Sequence, residues 1–317
     1  MEWEIDGVRG DATATFEENR PRLFGVAYRM LGSVADAEDV VQEAFLKWSA
    51  AHPEEVREPA AWLTTVVTRL CIDQLKSARA RRERYVGPWL PEPLLGDAAV
   101  PDVSEAAELS DTLSMAFLMV LESLTPTERA AFLLREVFGY EYGEIAEQIN
   151  VSESNARQLV HRAKESVAER RHRFEADKEK QRDLLGRFLL AVSTGEVEPI
   201  VQLLAEDAVL YSDGGGEVRA ARRPIVGPDK IARFIKGIEG GVPAGTESRV
   251  VDVNGAPGVL MEVDGKPYCV ISIDAAEDRL QSIYVVLNPQ KLSAARVSNP
   301  VPVIRRTDEA DRRSQPS

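Results

Sequence analysis

Residues 125–173, TPTERAAFLLREVFGYEYGEIAEQINVSESNARQLVHRAKESVAERRHR, constrain the fold more than any other stretch of the chain. Thr125 stands where a helix N-cap belongs, Pro126 follows at the first helical position, and Glu128 completes a capping box. Glu144, Ile145, Ala146 and Ile149 fit a short second helix. Asn150 and Val151 make a turn, and Ser152 caps a third helix. In that helix Ala156, Leu159, Val160, Ala163 and Val167 recur at the helical period and form one stripe for burial. The other face carries Ser154, Asn155, Arg157, Gln158, His161, Arg162 and Lys164, side chains that reach base edges or phosphates. Two helices, a tight turn and a two-faced second helix describe a helix-turn-helix. Its stripe holds the reading helix on a scaffold while the outward face enters the major groove. These residues point to DNA binding.

Upstream, residues 14–82 read as helical. In FEENRPRLFGVAYRML, the residues Leu23, Phe24, Ala27, Tyr28 and Leu31 share one side. In SVADAEDVVQEAFLKW, Ser33 is a cap and Val34, Ala37, Val41, Ala44 and Trp48 form a core stripe. Asp36, Asp39 and Glu43 step in the same way along another face, with Glu38 and Gln42 beside them. This acidic ridge is either a solvated surface or a docking face for a basic partner. The helix 60–82 groups Trp62, Thr65, Arg69, Asp73 and Lys76 on one face and Leu63, Val66, Val67 and Leu70 on another, then continues into Arg79, Arg81, Arg82 and Arg84. An aromatic among cations suits melted DNA, whose bases stack on rings while phosphates pair with cations. A solvated basic end that complements the helix dipole is the plain alternative.

A length of 317 residues suggests two or three domains. The formal net charge is −13, whereas a chain that holds DNA unaided is usually basic. DNA contact is therefore local or assisted by a larger partner, unless the acidity only keeps the protein soluble. Cys71 and Cys269 are far apart, which fits a reducing cytosol and no disulfide framework. No Cys/His cluster has zinc spacing, so neither metal nor cofactor is expected. No apolar run approaches the ~18–20 residues of a membrane span, and MEWEIDGVRGD lacks a signal-peptide core. The expected location is the cytoplasm, away from membranes.

Residues 85–106 contain Pro88, Pro91, Pro93 and Pro101 and read as an interdomain linker, extended from Pro88 to Leu94. Trp89 and Leu90 are large apolar side chains in this irregular segment, so burial against a folded domain is expected. A third helical block runs over 107–175. After residue 176 the pattern changes. Helices are predicted near 178–193 and 197–205, then a strand and glycine turn in DAVLYSDGGG, and a helix opened by Pro228 and Asp229. Strands follow near 247–253, 258–263, 267–274 and 279–287, with Asn254-Gly255 and Asp264-Gly265 as hairpin turns. Helices before an antiparallel meander imply an α+β domain. The DGGG run is a surface turn, an anion nest or a loop touching another domain. Tyr211, Asp213, Glu262 and Tyr268 are candidates to line a cavity. His52, His161 and His172 are the histidines of the chain and none lies in this domain, which removes the commonest general base. Residues 289–317 read as a disordered tail.

Three segments, in order, resemble extracytoplasmic-function sigma factors. DAEDVVQEAFLKW and WLTTVVTRLCIDQLKSARARRE are similar to the polymerase-binding and minus-ten parts of region two, and EYGEIAEQINVSESNARQLVHRAKESV is similar to region four. PWLPEPL, YSDGGGEVRAARRPIVG, NGAPGVLMEVDGKPY and IYVVLNPQKL resemble the members with a fused SnoaL-like (NTF2-like) domain, so the likeness spans about residues 14–292. The resemblance implies a multidomain protein: sigma region two over 1–84, a linker over 85–106, region four with its helix-turn-helix over 107–175, an α+β SnoaL/NTF2-like domain over 176–288, and the tail.

It implies core RNA polymerase and promoter DNA as partners, no dedicated anti-sigma factor, a monomer when free, and no catalysis. Asp36, Glu38, Asp39, Gln42 and Glu43 would sit on the basic clamp helices of polymerase. Trp62, Arg69, Asp73, Lys76 and Arg79 would meet the minus-ten element, with Arg69 facing its bases and the loop His52–Pro59 holding a flipped base. Ser152, Ser154, Asn155, Arg157, Gln158, His161, Arg162 and Lys164 would read the upstream element. Trp89, Leu90, Pro91, Asp213, Gly214, Gly215 and Gly216 would make regulatory contacts between domains. The family's glycine motif often ends in lysine; here Glu217 follows it. Two other classes stay open. One is a SnoaL-like cyclase or isomerase fused to a DNA-binding regulator, for which run-off transcription with core polymerase gives no product. The other is a dimeric repressor on palindromic half-sites, which needs neither the acidic ridge nor the helix 60–82.

Overall fold

The computed structural model describes residues 2–51, 55–82, 85–96, 112–171, 178–276, 278–293 and 304–305. His52, Arg84, His172 and the side chains of Arg79, Arg81 and Arg82 lie outside the described residues, as do most of the tail, residues 97–106 of the linker and residues 107–111 after it. The chain divides into two compact units: Met1–Tyr85 with Trp89–Phe174, and Val86–Pro88 with Glu175–Ser317.

The first unit is all helical: α1 Glu2–Leu31, α2 Val34–Ala50, α3 Pro59–Arg82, α4 Met115–Leu121, α5 Pro126–Phe132 running into a π-helical turn Leu133–Val137, α6 Tyr142–Ile149 and α7 Glu153–Arg171. α1 starts well before residue 14. Gly7 and Gly10 weaken the local helical signal, but the Trp48 indole donates to the Ala12 carbonyl at 2.8 Å and ties this turn to α2. α2 begins where the Ser33 hydroxyl accepts the Asp36 N–H at 3.2 Å, and it buries Ala37, Val40, Val41, Ala44 and Trp48. The capping box of Thr125 and Glu128 is formed. One continuous core joins Leu23, Tyr28, Trp48 and Leu63 of the first three helices to Leu118, Phe132, Ile145 and Val160 of the last four.

The second unit is α+β: α8 Lys178–Thr194, α9 Val197–Leu203, β1 Leu204–Asp213, β2 Ile225–Val226, α10 Pro228–Ile238, β3 Glu247–Val253, β4 Ala256–Val263, β5 Lys266–Ala276, β6 Arg279–Val286, α11 Pro289–Leu292 and β7 Ile304–Arg305. The sheet is mixed, in the order β2-β1-β6-β5-β4-β3-β7, with β1 parallel to β6 and the other pairs antiparallel. α8, α9 and α10 cover one face through Leu184, Phe188, Ile200 and Ile231, packed with Val259, Ile273 and Ile283. Both hairpins turn on residues of positive φ, Asn254 (57°) and Asp264 (52°), each followed by glycine as the type I′ geometry needs. The tail expected from residue 289 starts later. Asn288 caps α11 by accepting the Gln290 N–H at 3.0 Å, and Leu292 is buried. NPQKL carries a cap and an apolar anchor that its polar neighbours conceal.

Asp274 on β5 is 4 % exposed and its Oδ2 has no hydrogen-bond partner among the described residues. Burial raises its pKa to about 8, against the lowering effect of a backbone hydrogen bond from Ala275. An unfolded aspartate titrates near about 4. Protonation therefore favours the folded state: the contribution is full below pH ~4, declines as pH rises, and is lost above pH ~8. Asp274→Asn should flatten this dependence. Thermal unfolding should show the variant more stable than the parent at pH 8, by the order of a few kcal/mol, and little changed near pH 4.

Candidate DNA and polymerase interfaces

α6 and α7 form the helix-turn-helix. Asn150 takes the left-handed conformation (φ 55°), and the Val151 N–H donates to the Ala146 carbonyl at 2.9 Å, which closes the turn. The Ser152 hydroxyl accepts the Asn155 N–H at 3.3 Å and starts α7. Ala156, Leu159, Val160, Ala163 and Val167 are buried, while Ser152, Ser154, Asn155, Arg157, Gln158, His161, Arg162 and Lys164 are all exposed. The cations of this face are held by carboxylates of the same unit. Arg157 pairs with Glu153 at 2.5 Å and lies over the Tyr142 ring at 4.3 Å; His161 lies 3.6 Å from Glu165. Arg162 pairs with Glu128 of α5 at 3.4 Å, and Lys164 pairs with Glu136 of the π-helical turn at 2.9 Å. Glu136 was not singled out from the sequence, and Glu128 was read only as part of the capping box. Nothing local in it links them to cations 28 and 34 positions away.

The α3 face is engaged within the same unit. Trp62 is half-buried, its ring 5.5 Å from that of Trp48. The Arg69 guanidinium donates to the carbonyls of Gln148 and Glu147, both at 2.8 Å, and so occupies the carbonyl end of α6. Nearby, the Tyr140 hydroxyl donates to Thr64 Oγ1 at 3.1 Å, and Arg22 lies 5.3 Å from the Tyr140 ring centre. Arg129, 3 % exposed, donates to the Met30 carbonyl at 2.6 Å and pairs with Glu122 at 2.7 Å. Asp73 and Lys76, 3.4 Å apart, stay exposed. On α2, Asp39, Gln42 and Glu43 are exposed, and Asp36 and Glu38 are half-buried. Glu38 pairs with Arg20 at 2.5 Å and Glu43 with Lys47 at 3.3 Å.

Trp89, Leu90 and Pro91 belong to the first unit. Leu90 is fully buried, and a Cβ placed on Gly32 (φ 66°) would lie 2.7 Å from the Trp89 ring, so only glycine fits there. The next residue, Glu92, was missed by sequence reasoning. Its buried carboxylate accepts the Val34 N–H at 2.8 Å and the Ser33 hydroxyl at 3.3 Å, capping α2 from 58 residues away. Its own N–H donates to the Gly32 carbonyl at 2.8 Å, and its carbonyl accepts the Tyr28 hydroxyl at 2.7 Å.

The glycine turn lies in the second unit. Asp213 is fully buried; it accepts the Gly215 N–H at 3.0 Å and pairs with Lys291 at 2.7 Å, while its carbonyl accepts the Leu287 N–H at 2.7 Å. A Cβ on Gly215 (φ 63°) would lie 2.5 Å from the Asn288 amide, and one on Gly216 would lie 3.3 Å from Val86 of the linker. Glu217 accepts the Gln290 side-chain amide at 2.6 Å. A lysine at 217 would offer no acceptor to that amide. Thus Leu287–Lys291 and Val86 seat the turn. The sequence signal for the first was the NPQKL segment, where a lysine follows a helix cap.

Residues 15–81 match the family Sigma-70 region 2, and residues 114–167 match Sigma-70, region 4. The ECF RNA polymerase sigma factor SigJ of Mycobacterium tuberculosis is 36% identical over 291 residues, covering 88% of this chain and 93% of that protein. The probable ECF RNA polymerase sigma factor SigI of the same species is 32% identical over 289 residues, covering 90% of this chain and 96% of that protein. The crystal structure of the M. tuberculosis extracytoplasmic function sigma factor SigJ superimposes with a TM-score of 0.70 at 33% identity, covering 89% of this chain and 98% of that one. Since both sigma regions follow in order and the likeness to SigJ runs through both units, this chain belongs to the extracytoplasmic-function RNA polymerase sigma factors.

Proposed function

We propose that this sigma factor recognises promoters with the outward faces of α7 and α3, docks on core polymerase with the acidic ridge of α2, and is regulated rather than assisted catalytically by its second unit. The observation that carries the reading is the exposure of all eight candidate side chains, Ser152 at the cap of α7 and seven on the helix, opposite a buried stripe. Ser152, Ser154, Asn155, Arg157, Gln158, His161, Arg162 and Lys164 read the upstream element; Trp62, Arg69, Asp73, Lys76 and Arg79 serve the minus-ten element. Arg69, clasped by the α6 carbonyls, marks a closed form that polymerase must open.

The domain division at 84, 106 and 175 is part of this reading, with the SnoaL/NTF2-like domain extended through Leu292. The free protein is a cytoplasmic monomer without a dedicated anti-sigma factor. A regulatory role for the second unit is supported by its packed interior, where Leu184, Phe188, Ile231, Ile273 and Ile283 fill the space between helices and sheet. It is also supported by the glycine turn, whose buried acid is neutralised by Lys291.

Run-off transcription with purified core polymerase tests the reading. The full chain yields transcript from a cognate promoter, and a chain ended at Ala176 yields an altered amount. Replacing Arg157, Gln158 or Arg162 by alanine should cost about 1–3 kcal/mol and relax preference at one base position. Lys164→Ala should weaken binding to all sequences and lower the salt dependence by about one phosphate contact. Absence of transcript from the full chain would favour the enzyme alternative; unchanged preference in all three alanine variants would remove α7 as the reader.

A further inference from the structure

The acidic net charge of this DNA-reading protein has a local counterpart at the helix that reads. On α7 the buried stripe centres on Ala156, Val160 and Ala163. Glu165, Gln158 and Ser154 point most directly away from it at the helical period, with His161 beside them, while Arg162 lies on one flank and Lys164 on the other. The flanks of a helix seated in the major groove face the two phosphate backbones. Both flank cations are already paired. Glu128 takes Arg162 at 3.4 Å on one side and Glu136 takes Lys164 at 2.9 Å on the other. The two acids come from one element, α5 and its π-helical extension, so a carboxylate holds a cation on each flank of α7.

We propose that Glu136 and Glu128 act as internal stand-ins for DNA phosphate, holding the flank cations of α7 so that the free protein binds duplex DNA weakly. The inference rests on α7 being the DNA-reading helix. A phosphate that engages Lys164 must displace the Glu136 carboxylate or approach it closely, and like charges at such distances repel even in water. The neutralised cation also releases fewer counterions on binding, which lowers both affinity and salt dependence. Binding becomes favourable when polymerase supplies the missing attraction. Glu128 also completes the α5 capping box, so replacing it disturbs the helix start as well. Among the described residues Glu136 pairs with Lys164 alone, and it is the cleaner probe.

The test uses the full-length chain and a fluorescent duplex of arbitrary sequence, with binding followed by anisotropy between about 50 and 200 mM salt. Glu136→Gln should bind about three- to tenfold more tightly at the low-salt end and show a steeper salt dependence by about one counterion. In a Lys164→Ala background the same change should have no such effect, because the cation it frees is gone. Equal affinity and slope for Glu136→Gln and the parent would overturn the proposal. So would a gain that persists without Lys164, since that would be a general effect of lost negative charge. Helicity by circular dichroism should match the parent in each variant; loss of helicity with tighter binding would also count against it. If neither parent nor Lys164→Ala differs in DNA binding even with polymerase present, it is the assignment of α7 that fails.

Discussion

Lys291→Met should lower the stability of the second unit by about 3–5 kcal/mol, because it strands the Asp213 carboxylate in the interior without its cation. Asp213 is fully buried and Lys291 is 11 % exposed, so water cannot take over the lost partner. The Gly215 N–H donates to one of its carboxylate oxygens, a neutral contact that does not replace the lysine charge. Adding Asp213→Asn should recover much of the loss. The neutral amide keeps an acceptor for Gly215 and no longer requires a cation. Thermal unfolding of the parent, both single variants and the double variant closes the cycle. Additive losses in the double variant would show that the pair is not coupled. The same change frees the seat of the glycine turn, so transcription by the Lys291→Met chain, measured below its unfolding temperature, reports whether the turn must be held for regulation.

The second large effect concerns polymerase docking. Converting Asp36, Asp39 and Glu43 together to lysine should abolish retention by core polymerase and, with it, run-off transcription. Asp39 and Glu43 are exposed on the side of α2 opposite Ala37, Val41, Ala44 and Trp48. The helix should therefore stay folded. Single exposed charges contribute on the order of 0–1 kcal/mol each, but three reversals turn a summed attraction for a basic surface into repulsion. Circular dichroism should be unchanged while a pull-down with purified core enzyme loses the chain. Normal retention would make the ridge an ordinary solvated face.

Periodic segments were legible because burial imposes its period on the residues. The stripes of α2 and α7, the Thr125 box, the Asn254 and Asp264 hairpins and the α+β character of the C-terminal half follow from local chemistry. What was not legible depends on partners distant in sequence. Glu92 reads as one acid among prolines until folding brings it to the start of α2. Arg69 reads as an exposed cation until α6 offers it two carbonyls. Glu136 and Lys164 are unremarkable apart and meaningful together. Lys291 lay beyond the expected end of the ordered chain, although a cap and a leucine flank it.

The position of Lys291 also sets an order of events during synthesis. The first unit ends at Phe174, whereas the residues that close the glycine turn are made last, from Leu287 to Lys291. Ribosomes add about 5–20 residues per second. Each new molecule therefore passes about 6 to 23 seconds with its promoter-reading half complete and Asp213 still without its lysine. Val86 likewise waits for residues more than a hundred positions downstream before it has a place to rest. If the second unit regulates as proposed, a nascent chain in that interval is a sigma factor without its regulator, and any polymerase that meets it meets the unregulated form.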